Sequence, residues 1–251
     1  MLYRILRIIK NEGLGKFLTA YVMIELRHVF IDSLLLHSYS QNREDLAISE
    51  FFSGKKAGSY IDVGANDPTR FSNTKKLYDM GWKGVNVEPN TTKYHKLCAQ
   101  RPRDININAA INNSPSNKAT LYIFELDTLT TLSVIEKNYY ITKGYRHINT
   151  VTIPTKKLST VYKEHKSFLG KVDLLSIDTE GSDLEVITSV DFNELKPKLI
   201  CVESCLKRDI ETSNHKNTEL IRGVLESNGY TLYKKTNLNS LYQLRVRNQQ
   251  C

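Results

Sequence analysis

Ser59-Tyr60-Ile61-Asp62-Val63-Gly64-Ala65-Asn66, running on into Asp67-Pro68, is the stretch that decides how the chain reads. Tyr60, Ile61 and Val63 are β-formers, and the run breaks into a turn built from Gly64, Ala65, Asn66, Asp67 and Pro68. That pattern predicts a short buried strand delivering its C-terminal end into a loop. Gly64 allows a tight bend and a close approach of backbone to a ligand, which a Cβ would obstruct. In open α/β sheets the ligand crevice lies beyond the carboxyl ends of the strands, so this loop is expected to line it.

A second strand, Gly84 to Glu88, ends in an acid 24 residues after Gly64 (88 − 64). Strand, turn, helix and turn use up that length, and a Rossmann-type unit places its ribose-binding carboxylate about 20 residues past the glycine turn. Glu88 is therefore expected on the ribose hydroxyls, against the plain alternative of a solvated strand end. The turn holds one glycine rather than the three of G-x-G-x-x-G; Asn66 and Thr69 stand where the later glycines would. Those glycines serve the close approach of a pyrophosphate to a helix N-terminus. A cofactor without pyrophosphate is preferred, and S-adenosylmethionine is the candidate; an NAD(P)-dependent oxidoreductase is the rival.

Working outward, the chain has 251 residues, 40% hydrophobic and 25% charged, ordinary for one large α/β domain with or without an appendage. Its net charge of +8 comes from scattered Lys and Arg, which reads as a basic surface rather than a nucleic-acid groove. Cys98, Cys201, Cys205 and Cys251 form neither a zinc-ligand spacing nor a disulfide framework, so a cytoplasmic setting is expected.

The first 36 residues differ from the rest. Leu2, Ile5, Leu6 and Ile9 recur at helical spacing among Arg4, Arg7 and Lys10, and charges punctuate the apolar run after Leu14. No uncharged stretch reaches the roughly 18 residues of a membrane span. The segment is expected to be a helical extension packing on the main domain or on a second subunit, as in a homo-oligomer; peripheral membrane contact is the alternative. The expected division is a helical N-terminal extension, 1–38, and a catalytic domain, 39–251.

Next, Asn42 is expected to cap a helix starting near Glu44 and Asp45. Phe71 to Met80 reads as a helix ended by Gly81, and Asn90 as the cap of the helix through Tyr94 and Leu97. Ile105 to Ile111 and Ala119 to Phe124 read as strands. From Leu126 to Ile148 the pattern dissolves, and this connection, with Tyr139, Tyr140, Tyr145 and His147, reads equally as a lid or substrate loop and as a disordered surface loop. Val151 to Ile153 then reads as a brief strand.

A second strong stretch, Lys171 to Gly181, is a mostly apolar strand ending in Asp178 and Glu180 around Thr179. Two carboxylates just past a central strand sit where chemistry is done. Ser182 to Glu185 is expected to open the next helix as a capping box. Lys198 to Glu203 again ends in an acid, and Tyr230 to Lys235 with Leu241 to Val246 reads as a terminal hairpin.

These stretches resemble the FkbM family of S-adenosylmethionine-dependent methyltransferases. The matching segments are S-Q-N-R-E-D-L from Ser40, Y-I-D-V-G-A-N-D-P from Tyr60, F-S-N-T from Phe71, G-W-K-G-V-N-V-E-P from Gly81, V-D-L-L-S-I-D-T-E-G-S-D-L-E-V-I from Val172 and K-P-K-L-I-C-V-E from Lys196. The resemblance implies a class I methyltransferase fold, a mostly parallel seven-stranded sheet with a final antiparallel hairpin. It also implies methyl transfer to a hydroxyl, often on a sugar, glycan or natural-product intermediate, as in polysaccharide biosynthesis. Arg43 departs from the glycine the family commonly has there, which bears on Gln41, Glu44 and Asp45 as residues closing over the cofactor. The expected cofactor-binding residues are Asp62, Gly64, Asn66, Glu88, Gln41 and Asp45. Asp178, Glu180 and Glu203 are expected near the acceptor, one of them as general base. Asp178 and Glu180 holding Mg²⁺ is the alternative, and a non-catalytic membrane-associated binding module is the rival of another class.

Overall fold

The computed structural model describes residues 37–205 and 216–245. The predicted N-terminal helical extension falls almost entirely outside the described residues. From Glu44 onward the elements run α1 (Glu44–Phe51), β1 (Ser59–Val63), α2 (Lys75–Asp79), β2 (Lys83–Val87), α3 (Thr91–Gln100), β3 (Ile105–Ile107), β4 (Ala110–Ile111) and β5 (Lys118–Phe124). After a 3₁₀ turn at Asp127–Leu129 come α4 (Val134–Thr142), β6 (His147–Lys156), α5 (Leu158–Leu169), β7 (Leu174–Ile177), α6 (Asp183–Thr188), β8 (Leu199–Glu203), α7 (Lys216–Ser227), β9 (Tyr230–Lys235) and β10 (Asn239–Leu244).

Seven strands form the main sheet in the order β3-β2-β1-β7-β8-β10-β9. The first five run parallel, while β10 pairs antiparallel with both β8 and β9. Parallel strands joined by helical crossovers are buried on both faces, which explains their nearly unbroken apolar composition. On one face Ile61, Val63, Val85, Leu175, Ile177 and Ile200 pack against α5, α6 and α7. On the other, Tyr60, Trp82, Leu174, Leu199 and Leu241 pack against α1 and α2. The register aligns Asp62 with Asn86 and Ser176, and Ser176 with Cys201, so a polar row crosses the sheet one residue short of its C-terminal rim.

A second sheet, β4-β6-β5, hangs outside the first. It splits the single strand expected over Ile105 to Ile111: Ile105–Ile107 joins the main sheet, and Ala110–Ile111 pairs with β6. The brief strand expected at Val151 spans His147–Lys156 because it pairs along the length of β5. The expected loop from Leu126 holds α4, whose Tyr140 packs on Phe124 and Leu129.

Three local expectations are corrected. Asn42 does not cap α1: the chain enters through Arg43, left-handed at φ 65, so Asn42 lies one residue too early. The helix expected from Phe71 begins only at Lys75, since Phe71 is itself left-handed at φ 58. At Ser182 no side-chain cap forms on α6. By contrast, Asn90 caps α3, accepting from the Thr92 and Lys93 amides.

Candidate active site

The order of the main sheet reverses between β1 and β7, and a cleft opens at their carboxyl ends, the position where such sheets bind ligands. Gly64 leaves β1 at φ +79, and an added Cβ would lie 1.9 Å from the Asp178 carbonyl oxygen. The glycine is thus demanded by the neighbouring strand's exit. Gly64 and Ala65 both donate their N–H to the Val87 carbonyl, at 2.9 and 3.3 Å, which folds the turn toward β2.

Glu88, just past β2, is 5% exposed. One carboxylate oxygen accepts the Asn66 N–H and the other the Asn90 N–H, both at 2.7 Å. Each oxygen has a further lone pair, so a pair of neighbouring hydroxyls fits the remaining acceptor capacity. Burial pushes the Glu88 carboxyl up to about 7, against the pull of those two N–H groups and of Lys93.

Asp62 is buried in the polar row and accepts the Thr74 hydroxyl at 2.6 Å. Burial raises its carboxyl, while Thr74, the Arg101 charge and Ser176 work in the opposite direction.

The exit of β7 is a loop of carboxylates. Asp183 gathers it by accepting the N–H groups of Thr179 (3.0 Å) and Gly181 (3.3 Å). Glu180 is held at φ 51 in the left-handed region. From the outer sheet's side, Thr131 donates its hydroxyl to the Glu180 carbonyl (2.7 Å) and Tyr140 donates to the Glu180 carboxylate (3.2 Å). No described group hydrogen-bonds the Asp178 carboxylate, and burial followed by the charges of Glu180 and Asp183 raises it well above the ordinary range. Asp183 is itself pushed up to about 6 by burial.

A cavity of about 940 Å³, counting its open mouth, is lined by Gln41, Asp62, Gly64, Asn66, Glu88, Asp178 and Glu180 among others. Seven of the nine residues expected from sequence therefore share one space. Glu203 lines a smaller cavity of about 380 Å³ with Tyr140, Leu129 and Leu238, and the two cavities share Gln41, Thr128 and Glu180. Asp45 lines neither: its carboxylate is taken by the Ser38 and Ser40 hydroxyls and the Tyr39 N–H, which anchor the start of α1. Glu44 is likewise taken by Thr236 and Asn239 of the hairpin.

Sequence reasoning missed Lys93, Asp127, Thr128 and Thr131, all on the wall of the larger cavity. Lys93 pairs with Asp127 across that wall. In sequence they read as a solvated helix lysine and a polar loop, and only the outer sheet brings them together. Among the described residues no three His, Cys, Asp or Glu side chains are placed to hold a metal ion.

A seven-stranded sheet of this order, closed by an antiparallel hairpin and opening at its reversal point, is the class I methyltransferase fold. The chain belongs to the FkbM methyltransferase family: the family model described as Methyltransferase FkbM domain matches residues 62–232. Fold and family together imply S-adenosylmethionine as the cofactor, and the dehydrogenase rival falls.

No curated protein matches the chain. Among solved structures, fibrillarin, a pre-rRNA processing protein of Methanococcus jannaschii, is 13% identical with a TM-score of 0.41, covering 76% of this chain and 67% of that one. A Staphylococcus aureus protein assigned as a caffeoyl-CoA O-methyltransferase is 11% identical with a TM-score of 0.44, covering 95% and 100%. A Methanococcus maripaludis protein assigned as an S-adenosylmethionine-dependent methyltransferase is 14% identical with a TM-score of 0.42, covering 92% and 94%.

Proposed function

We propose that this methyltransferase acts on a hydroxyl of a sugar, glycan or natural-product intermediate, with the donor in the larger cavity and the acceptor in the smaller one. The observation that carries this reading is the shared wall: Glu180 belongs to both cavities, and Asp178 lines the larger one beside it. The smaller cavity offers hydroxyl-binding groups, Gln41, Tyr140, Glu180 and Glu203, beside the leucines Leu129 and Leu238. That mixture suits a ring with a polar edge and an apolar face.

When bound, S-adenosylmethionine supplies a methyl group on a sulfonium, whose departure as a thioether takes the electron pair of the broken C–S bond. The protein's contribution is alignment and proton removal. Glu88 would accept the two ribose hydroxyls, while Asp62, Gly64 and Asn66 would frame the methionine end. Glu180, already held by Tyr140 and Thr131, orients the acceptor hydroxyl. Asp178 takes that hydroxyl's proton as the new O–C bond forms. Burial and the charges of Glu180 and Asp183 raise its carboxyl, the direction that makes a carboxylate a stronger base.

The test is mass spectrometry of glycan and polyol intermediates incubated with protein and methyl-labelled donor. Label on an oxygen of a hydroxyl-bearing acceptor is the expected outcome; label found only on nitrogen or carbon overturns the proposal. Asp178→Asn should lower kcat by about 10²- to 10⁴-fold, the usual worth of a general base, while leaving donor affinity intact. Activity should persist in a chelator, since Asp178 is assigned a proton-accepting role.

A further inference from the structure

Arg101, at the C-terminal end of α3, is 0% exposed. Its guanidinium directs its hydrogen bonds to the loop that leads from the Gly64 turn into α2, and it lies over the Tyr78 ring, 5.7 Å from the centroid. Nε and Nη2 donate to the Pro68 carbonyl at 3.0 and 2.6 Å, and Nη2 also donates to the Ser72 hydroxyl at 2.6 Å. Nη1 donates to the Thr74 hydroxyl at 2.7 Å, and that hydroxyl passes its own proton to Asp62 at 2.6 Å. Ser72 and Asn73 from this loop, and Asp62 itself, line the larger cavity.

A buried guanidinium is expensive unless every N–H finds an acceptor, and here the acceptors are the far side of a ligand wall. Arg101 does not line the cavity; what it governs is the back of Asp62. With Thr74 held by Arg101, one oxygen of the Asp62 carboxylate has a fixed partner, and Asp62 lines the cavity. The same positive charge favours the ionised form of that carboxylate against its burial.

We propose that Arg101 is a positioning residue for the methyl donor, acting through Thr74 to present Asp62 to the α-ammonium of the donor's methionine end. This rests on the donor placement proposed above. It separates two parts of one ligand: the ammonium should depend on the Arg101–Thr74–Asp62 relay, and the adenosine part, held at Glu88, should not.

The experiment is calorimetric titration of the full chain with S-adenosylhomocysteine and, separately, with 5′-methylthioadenosine, which lacks the amino-acid end. Thr74→Val severs the relay while keeping side-chain shape, and Arg101→Lys keeps the charge but loses the fork. Each variant should weaken S-adenosylhomocysteine by about tenfold or more, the usual worth of a charge-assisted hydrogen bond, and leave 5′-methylthioadenosine within about twofold of wild type. Unchanged affinities for both ligands in Thr74→Val overturn the proposal. A parallel loss of both, accompanied by a lower Tm, also overturns it, by showing that the network only supports the fold. If the wild-type protein fails to prefer S-adenosylhomocysteine over 5′-methylthioadenosine, the donor placement itself is wrong, and that failure shows before any variant is made.

Discussion

At the scale of single residues, Glu88 sets a pH dependence whose sign differs between the empty and the occupied protein. Its folded-state carboxyl lies at about 7, above the ordinary 4.5, so between those values the folded protein holds a proton that the unfolded chain has released. Its contribution to stability is full below the lower value and is lost as the pH climbs toward 7. Urea unfolding of the empty protein followed across that window should show the decline, and Glu88→Gln should flatten it. Ribose hydroxyls need the ionised acceptor, so affinity for 5′-methylthioadenosine should rise through pH 7 in the wild type alone. At high pH, Glu88→Gln should cost about 10- to 100-fold in that affinity, from the ~1.5–3 kcal/mol of hydrogen bonding to a charged group. Gly64→Ala is a different kind of change. The new methyl would collide with backbone rather than with a flexible side chain, at a φ that L residues rarely adopt. A loss of about 2–4 kcal/mol in urea unfolding, with donor binding abolished, is the expected outcome.

At the scale of elements, the segment from Asp127 to Thr142 decides how the β7 exit is held. Tyr140 packs edge-on against Phe124, at 5.5 Å between ring centroids, and its hydroxyl reaches Glu180. Tyr140→Phe keeps the packing and removes the hydrogen bond, so kcat should fall by about tenfold with donor affinity unchanged. Tyr140→Ala should also destabilise the fold, by about 3–5 kcal/mol for a buried aromatic. This element was also the least legible in the sequence. The strands from Ser59, Lys83, Leu174 and Leu199 announced themselves through mostly apolar runs broken by one polar row, because a doubly covered parallel sheet has no wet face to encode. Helix α4 gave no such periodicity: Val134 and Ile135 stand out to solvent, and its buried residues are Glu136 and Tyr140, the latter among other aromatics. The carboxylates at the strand ends could be found from sequence because strand direction fixes where those ends lie. Lys93, Asp127 and Thr131 could not, since their meeting depends on the outer sheet. Asp45 misled for the opposite reason: its acidic character looked available, and three local donors already use it.

At the scale of the molecule, every lining residue described for either cavity lies at or beyond Gln41. Among the described residues no helix is long and apolar enough to cross a membrane. The layout of the two sheets has a further consequence. Strands β4 to β6, with α4, leave the chain between β3 and β7 and return without adding a strand to the main sheet. Such an excursion is a natural seam for recombination. Exchanging residues 109–156 with the equivalent stretch of a relative should change acceptor preference, and donor affinity should shift with it because Asp127, Thr128 and Thr131 also wall the larger cavity, while Glu88 keeps its Asn66 and Asn90 partners; a new substrate therefore comes with a retuned donor pocket.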